Sequence, residues 1–189
     1  MNEEELLTAL RRRDPDAFTI LFETYSDKVY RLAVGLLENE SEAEGVVQDS
    51  FLRLFVRLDQ FEGRSKISTW LYRVAYNISI DQLRKRRPLV ALEDELMDDE
   101  SPSPVILMDW RDVPERLLTA AEIKDELDKA IATLPQKYKV IFTLRNVEGL
   151  STRETAVITD LSLSAVKVRL HRARLFLRER LAESLMEHV

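Results

Sequence analysis

Between Pro88 and Pro114 the chain reads PLVALEDELMDDESPSPVILMDWRDVP, with four prolines and a run of acidic residues. Proline has no N–H to donate and pushes the residue before it out of helical geometry, so neither a helix nor a strand runs through such a stretch. Crowded like charge opposes packing further. The stretch therefore divides the chain, and whatever folds must do so on either side of it. Residues 1–87 and 115–189 are each long enough for a small domain, with 88–114 expected as an acidic flexible linker.

Both flanks carry a helical period. Ala17, Ile20, Leu21, Tyr25, Val29, Leu32 and Leu36 recur at three- and four-residue intervals, as do Val46, Val47, Ser50, Phe51, Leu54, Phe55 and Leu58. On a further helix Trp70, Val74, Asn77 and Asp81 share one side and Leu71, Ala75, Ile78 and, less closely, Leu83 share another; one set must be core, and Trp70 is expected to pack. No segment alternates with the period of a strand. The expected fold class is all-α, two small helical domains joined by the linker.

The total charge of −6 hides a sharp division. Residues 1–87 hold fourteen basic against fifteen acidic side chains, 88–126 three against twelve, and 127–189 eleven against seven. Residues 57–87 alone hold eight basic and three acidic groups, so two positive zones flank a negative one. Such zones at the ends of separate helical segments suit an anionic polymer.

The C-terminal zone has a recognisable frame. In GLSTRETAVITDLS, Ser151 stands as an N-cap with Glu154 three positions on, the two halves of a capping box, so a helix starts there and runs to about Thr159. Asp160, Leu161 and Ser162 break it, and a second helix begins near Leu163 or Ser164. Short helix, tight turn, longer helix is a helix-turn-helix. On the second helix Val166, Leu170, Ala173, Leu177 and Leu181 share the stripe that must pack. Ser164, Lys167, Val168, His171 and Arg172 lie opposite, where cations can bridge guanine acceptors and an apolar side chain can meet a thymine methyl. Arg169, Arg174, Arg178 and Arg180 fall nearer the edges, where phosphates would run.

These residues carry a resemblance. LPQKYKVIFTLRNVEGLSTRETAVITDLSLSAVKVRLHRAR is similar to the C-terminal DNA-binding domain of bacterial extracytoplasmic-function sigma factors. The resemblance implies a domain that reads the minus-thirty-five promoter element, with Lys167, Val168, His171 and Arg172 facing bases and Arg169 a phosphate; Ser164 and Arg174 complete the expected surface. The chain departs from the family at Ala165 and Val168, where Thr and Ser are frequent.

The N-terminal domain resembles the same family independently, through SEAEGVVQDSFLRLFVRLDQFEGRSKISTWLYRVAYNISIDQLRKRR. The resemblance implies that Gln48, Asp49, Leu52 and Arg53, left outside the core stripe, dock on core RNA polymerase. Gly45 stands where Asp is common, and a mid-helix glycine costs ~1 kcal/mol. WLYRVAYN matches the family's W-L-x-R-[IV]-A-x-N, which implies a pocket for a base flipped from the minus-ten element, made by Gly63, Arg64, Ser65, Lys66, Ile67 and Asn77. Arg73 and Arg84 extend the basic surface among the aromatic rings of Phe61, Trp70, Tyr72 and Tyr76, a combination suited to an unpaired strand. In the family the linker threads a channel of the polymerase, and an anti-sigma factor commonly covers both binding faces.

Catalysis finds no frame in the sequence. There is no phosphate-binding glycine loop, no cysteine, and only two histidines, His171 and His188, so no cofactor and no metal site is expected. The acidic clusters sit in the linker, where no scaffold would hold a metal. No apolar run approaches the ~20 residues of a membrane span, so membrane insertion is not expected and the cytoplasm is the expected compartment. The alternative to a sigma subunit is a stand-alone helix-turn-helix regulator whose first domain senses a ligand or dimerises; it would bind its operator without polymerase.

Overall fold

The computed structural model describes residues 3–61, 63, 65–86 and 120–187. Linker positions 88–114, with Leu107, Met108 and Trp110, lie outside the described residues, as does Arg64. All regular structure among the described residues is helical: α1 (Glu3–Arg11), α2 (Pro15–Leu37), α3 (Glu40–Arg57), α4 (Ile67–Arg86), α5 (Ala120–Ala132), α6 (Gln136–Phe142), α7 (Thr152–Thr159) and α8 (Leu163–Glu187).

Local signals fix the boundaries in the N-terminal domain. Asp14 accepts a hydrogen bond from the Asp16 amide at 3.0 Å and Pro15 follows at the first helical position, where its missing N–H costs nothing. Glu38 ends α2 in the left-handed region at φ 52°, and its neighbour Asn39 caps α3 by accepting from the Glu42 amide at 3.0 Å. The turn between α2 and α3 is therefore two residues long, and the helices return side by side. α3 runs unbroken through Gly45, whose missing side chain faces open space.

Leu21, Val29, Leu32, Leu36, Val46, Leu54, Leu58, Leu71 and Ala75 form the first core. Two residues of the expected stripes stand outside it. Ile20 is exposed and Phe55 is 45% exposed. At ~100° per residue Phe55 lies about 120° and Ile20 about 160° from the centre of its helix's buried stripe, so interval counting admitted them where the angle does not. Trp70 is partly buried, packed on the core with its ring edge-on to Phe61 at 6.2 Å.

Ala130, Leu134, Ile141, Phe142, Val166, Leu170, Ala173 and Leu177 form the second core, from α5, α6 and α8. The first core does not stop at its own domain. Val140, Leu144, Leu150 and Ile158 of the C-terminal domain belong to it.

A π-turn at Thr143–Val147 closes α6, with the Glu148 amide donating to the Thr143 carbonyl at 2.9 Å. Gly149 follows at φ +67°, a conformation open to glycine at no steric cost, and the Leu150 amide donates back to the Leu144 carbonyl at 2.9 Å. This reversal turns the chain toward α7 and aims Glu148 at the N-terminal domain.

Candidate nucleic-acid interface

The helix-turn-helix forms as its capping box requires. The Ser151 hydroxyl accepts from the Glu154 amide at 3.1 Å while the Glu154 carboxylate accepts from the Ser151 amide at 2.8 Å. Loss of such a cap costs ~1 kcal/mol. Hydrogen bonds from Ser151, reinforced by Lys66, hold the Glu154 carboxyl down to about 2. Asp160 closes α7 in the left-handed region at φ 57°, and the Ser162 hydroxyl accepts from the Ala165 amide at 3.1 Å to open α8.

Val166, Leu170, Ala173 and Leu177 are buried along one side of α8. Ser164, Lys167, Val168, His171 and Arg174 are exposed on the other, and Arg172 is half-buried beside them. Arg174 reaches the Asn146 side chain at 3.5 Å. Arg169 departs from its expected place at the phosphate edge: it is 5% exposed. It follows Val166 by three residues, ~60° from the buried stripe, and lies toward Tyr76 of α4. Burial lowers its affinity for the proton and raises that of Tyr76.

On α4, Arg73, Asn77 and Arg84 are exposed, and their spacing sets them within ~40° of one another, in line with Lys66 at the helix entry. One straight row of three cations and an amide thus runs the length of α4. Gly63, Ser65, Lys66 and Ile67 border a pocket of about 360 Å³, with Ile67 itself buried in its wall. Its far side is unexpected. Glu3, Glu4 and Leu7 of α1 complete it, and Glu3 accepts a hydrogen bond from the Ile67 amide at 2.9 Å. Asn77 does not share this pocket; it sits ten residues beyond Ile67 along α4, ~15 Å at 1.5 Å per residue. The sequence offered no signal for the part α1 plays, because Glu3 and Ile67 meet only through the fold.

The outer side of α3 carries Gln48, Asp49, Leu52 and Arg53, all exposed, Leu52 at 60%. Val56, Phe55 and, across on α2, Phe22 are exposed beside them. Phe22 pairs with Phe51 at 4.8 Å and Phe18 with Phe55 at 4.9 Å, so rings from two helices widen one apolar surface bordered by Asp49. Exposed apolar patches of this kind occur at interaction sites. Interval counting missed Phe22 and Val56 and placed Phe55 in the core stripe; the angular position of Val56, four residues after Leu52, was the available signal.

The two domains meet through charge as well as apolar surface. Arg31 of α2 donates to Glu148 from Nε at 3.0 Å and from a terminal nitrogen at 2.6 Å, and the Tyr72 hydroxyl of α4 donates to the other Glu148 oxygen at 2.8 Å. Burial, then the Glu148 bond, pushes the Tyr72 hydroxyl well above its ordinary range. Lys66 pairs with Glu154 at 3.0 Å, and Lys139 of α6 with Glu38 at 3.0 Å.

Among the described residues no helix is long and apolar enough to cross a membrane. Residues 21–88 match the family Sigma-70 region 2, and residues 124–177 match Sigma-70, region 4. A Bacillus subtilis (strain 168) protein, ECF RNA polymerase sigma factor SigW, is 35% identical over 176 residues, spanning 92% of this chain and 94% of its own length. The ECF RNA polymerase sigma-E factor of Escherichia coli (strain K12) is 31% identical over 176 residues, spanning 92% of this chain and 91% of its own. Among solved structures, CnrH in complex with the cytosolic domain of CnrY superposes with a TM-score of 0.63 at 22% identity, covering 96% of this chain and 97% of that one. The sigma factor RpoE bound to the anti-sigma factor NepR from Bartonella quintana gives a TM-score of 0.62 at 24% identity, covering 87% and 96%.

Proposed function

The chain belongs to the sigma-70 family, in its extracytoplasmic-function class, and on that premise we propose how its helices divide the work of starting transcription. It is a promoter-specificity subunit that binds core RNA polymerase and promoter DNA. α8 reads the minus-thirty-five element through Ser164, Lys167, Val168, His171 and Arg172, with Arg174 at the border. The α4 row of Lys66, Arg73, Asn77 and Arg84 takes the minus-ten strand, and the pocket at Gly63, Ser65 and Ile67 receives an unstacked base. Gln48, Asp49, Leu52 and Arg53 dock on the polymerase. The chain supplies no catalytic group and works where polymerase and chromosome meet, in the cytoplasm. An anti-sigma factor is its proposed antagonist, as for the RpoE and NepR pair.

The observation that carries this reading is the presence in one chain of two separate DNA-suited helices, α4 and α8, together with an exposed apolar face on α3 that neither helix uses. A stand-alone regulator has no need of the first and third; the match of residues 21–88 to region 2 accounts for both. Run-off transcription with core polymerase on a library of promoter fragments is the test. Specific transcripts that require the added chain are expected, and their absence across the library would overturn the reading.

A further inference from the structure

We propose that α1 is a positioning element of the minus-ten site: a row of Glu3, Leu7 and Arg11 holds the loop between Phe61 and Ile67 in the shape that receives an unstacked base. The contacts stand by themselves; their meaning for promoter opening rests on the base-pocket reading.

The row follows from the period of the helix. Residues four apart on α1 turn by ~40°, so Glu3, Leu7 and Arg11 lie within ~80° of one another over ~12 Å of rise. Leu10, on the neighbouring stripe, is fully buried in the first core and fixes which way the row faces. Each end of the row takes one end of the loop. Arg11 donates to the Phe61 carbonyl at 3.0 Å, and Glu3 accepts from the Ile67 amide at 2.9 Å. Leu7, between them, lines the pocket together with Gly63, Ser65 and Lys66. Gly63 sits at φ +73°, a conformation glycine adopts freely, so the loop supplies little stiffness of its own at that point.

The Glu3 bond answers a local deficiency. The Lys66 carbonyl accepts the first bond of α4, from the Trp70 amide at 3.1 Å, so Lys66 occupies the capping position. A lysine side chain has donors and no acceptor, and its charge is unfavourable at the positive end of a helix. An acceptor must come from elsewhere, and α1 brings a carboxylate from 64 residues away in sequence. The site thus keeps its lysine, and the cap is supplied by a second helix. Further contacts anchor the end of α1. The Arg13 amide donates to the Leu10 carbonyl at 2.9 Å and the Asp14 amide to the Ala9 carbonyl at 3.2 Å, with Arg13 left-handed at φ 60°, which a residue bearing a Cβ rarely adopts. Its guanidinium donates to the Phe55 carbonyl, meets Asp59 at 2.8 Å and lies over the Phe55 ring at 4.7 Å. Glu3, Arg11 and Arg13 therefore reach the stretch 55–67 from one short segment. The match to region 2 begins at residue 21, so this strut lies outside the matched module.

Glu3→Ala removes the cap, Glu3→Gln keeps the accepting oxygen and drops the charge, and Arg11→Met keeps the stem and drops the donor. Amide exchange in the free chain, followed by NMR, tests the cap without DNA or polymerase. Glu3→Ala should speed exchange at Ile67 by about five-fold or more, and Glu3→Gln should restore most of the protection. Strand opening with core polymerase is then measured on promoter duplexes that carry one abasic site at successive minus-ten positions. The parent should lose opening at the position whose base enters the pocket. Glu3→Ala and Arg11→Met should each open the intact duplex about five-fold less well, and this deficit should vanish on the duplex that lacks the captured base; Glu3→Gln should recover the larger part of the opening. A variant that is merely less stable would lose opening on every duplex alike. A deficit equal on all duplexes, or Ile67 exchange unchanged in Glu3→Ala, overturns the role of α1. A parent indifferent to every abasic site would instead refute the base pocket itself, and the proposal falls with it.

Discussion

Val166 and Lys167 are neighbours in sequence and lie ~100° apart on α8, one wholly buried and one exposed. Their alanine variants should therefore separate stability from recognition. Val166→Ala removes two methyl groups from a closed core, a transfer loss of ~0.8 kcal/mol each plus a cavity term, about 2–3 kcal/mol in all. For a folded body of this size ~1 kcal/mol moves the midpoint by about 2–4 °C, so a fall of about 5–10 °C is expected in a calorimetric melt. Lys167→Ala uncovers no apolar surface and Lys167 belongs to neither core, so its melt should stay within about 2 °C of the parent. On a randomised minus-thirty-five element, with core polymerase present, the outcomes reverse. Lys167→Ala should relax preference at one or two positions by ~1–3 kcal/mol of discrimination, while Val166→Ala keeps the preference of the parent. A Lys167→Ala melt lowered as far as that of Val166→Ala, or a changed base preference in Val166→Ala alone, would refute the orientation of α8.

Asn77→Ala and Lys66→Ala should each reduce strand opening at the minus-ten element with core-polymerase affinity unchanged, as read by permanganate footprinting; because Asn77 lies outside the pocket at Ile67, the thymines affected should differ between the two. Ser151→Ala should cost ~1 kcal/mol and raise the Glu154 midpoint from about 2 toward the ordinary carboxylate range, since hydrogen bonds from Ser151 are its leading cause. In the parent, that depressed carboxyl contributes stability fully above pH ~4.5 and loses it as pH falls toward 2, so carboxyl resonance titration should find Glu154 ionised throughout the neutral range. Leu52→Asp should abolish binding to core polymerase while leaving the melt unchanged, because a side chain 60% exposed has little packing to lose.

Helix boundaries and the helix-turn-helix were legible because their causes are local. A Ser and a Glu three apart fix the start of α7, and an Asp followed by Leu-Ser fixes the turn. What the sequence hid was set by angle or by distance along the chain. Arg169 reads as one more cation in a basic helix until its position relative to Val166 is measured round the axis. Phe55 obeys a heptad-like interval and still faces out. Glu148 is 117 residues from Arg31 and 76 from Tyr72, and no periodicity relates them. Glu3 meets Ile67 across 64 residues, so the acidic wall of the pocket had no sequence signature. Positions that depend on tertiary contact between distant helices are those a pattern of residue types leaves open.

The charge distribution limits how strongly the free chain can hold DNA. The duplex-facing surface proposed for it is one helix face, with Lys167, Arg172 and Arg174 as its cations, on a chain of net charge −6. Neutralising few phosphates gives weak binding that falls steeply between 50 and 200 mM salt. Core polymerase changes this: on the proposed docking at α3 it holds the N-terminal domain in place, and engagement of the second element becomes intramolecular, which can raise avidity by ~10²–10⁴ without a new contact. Titrating promoter duplex with the full chain alone at near-physiological salt should give no sequence-selective complex, and adding core polymerase should give one. Tight selective binding by the parent without polymerase would mean that α8 suffices for recognition, and would return the stand-alone regulator as the better account of this chain.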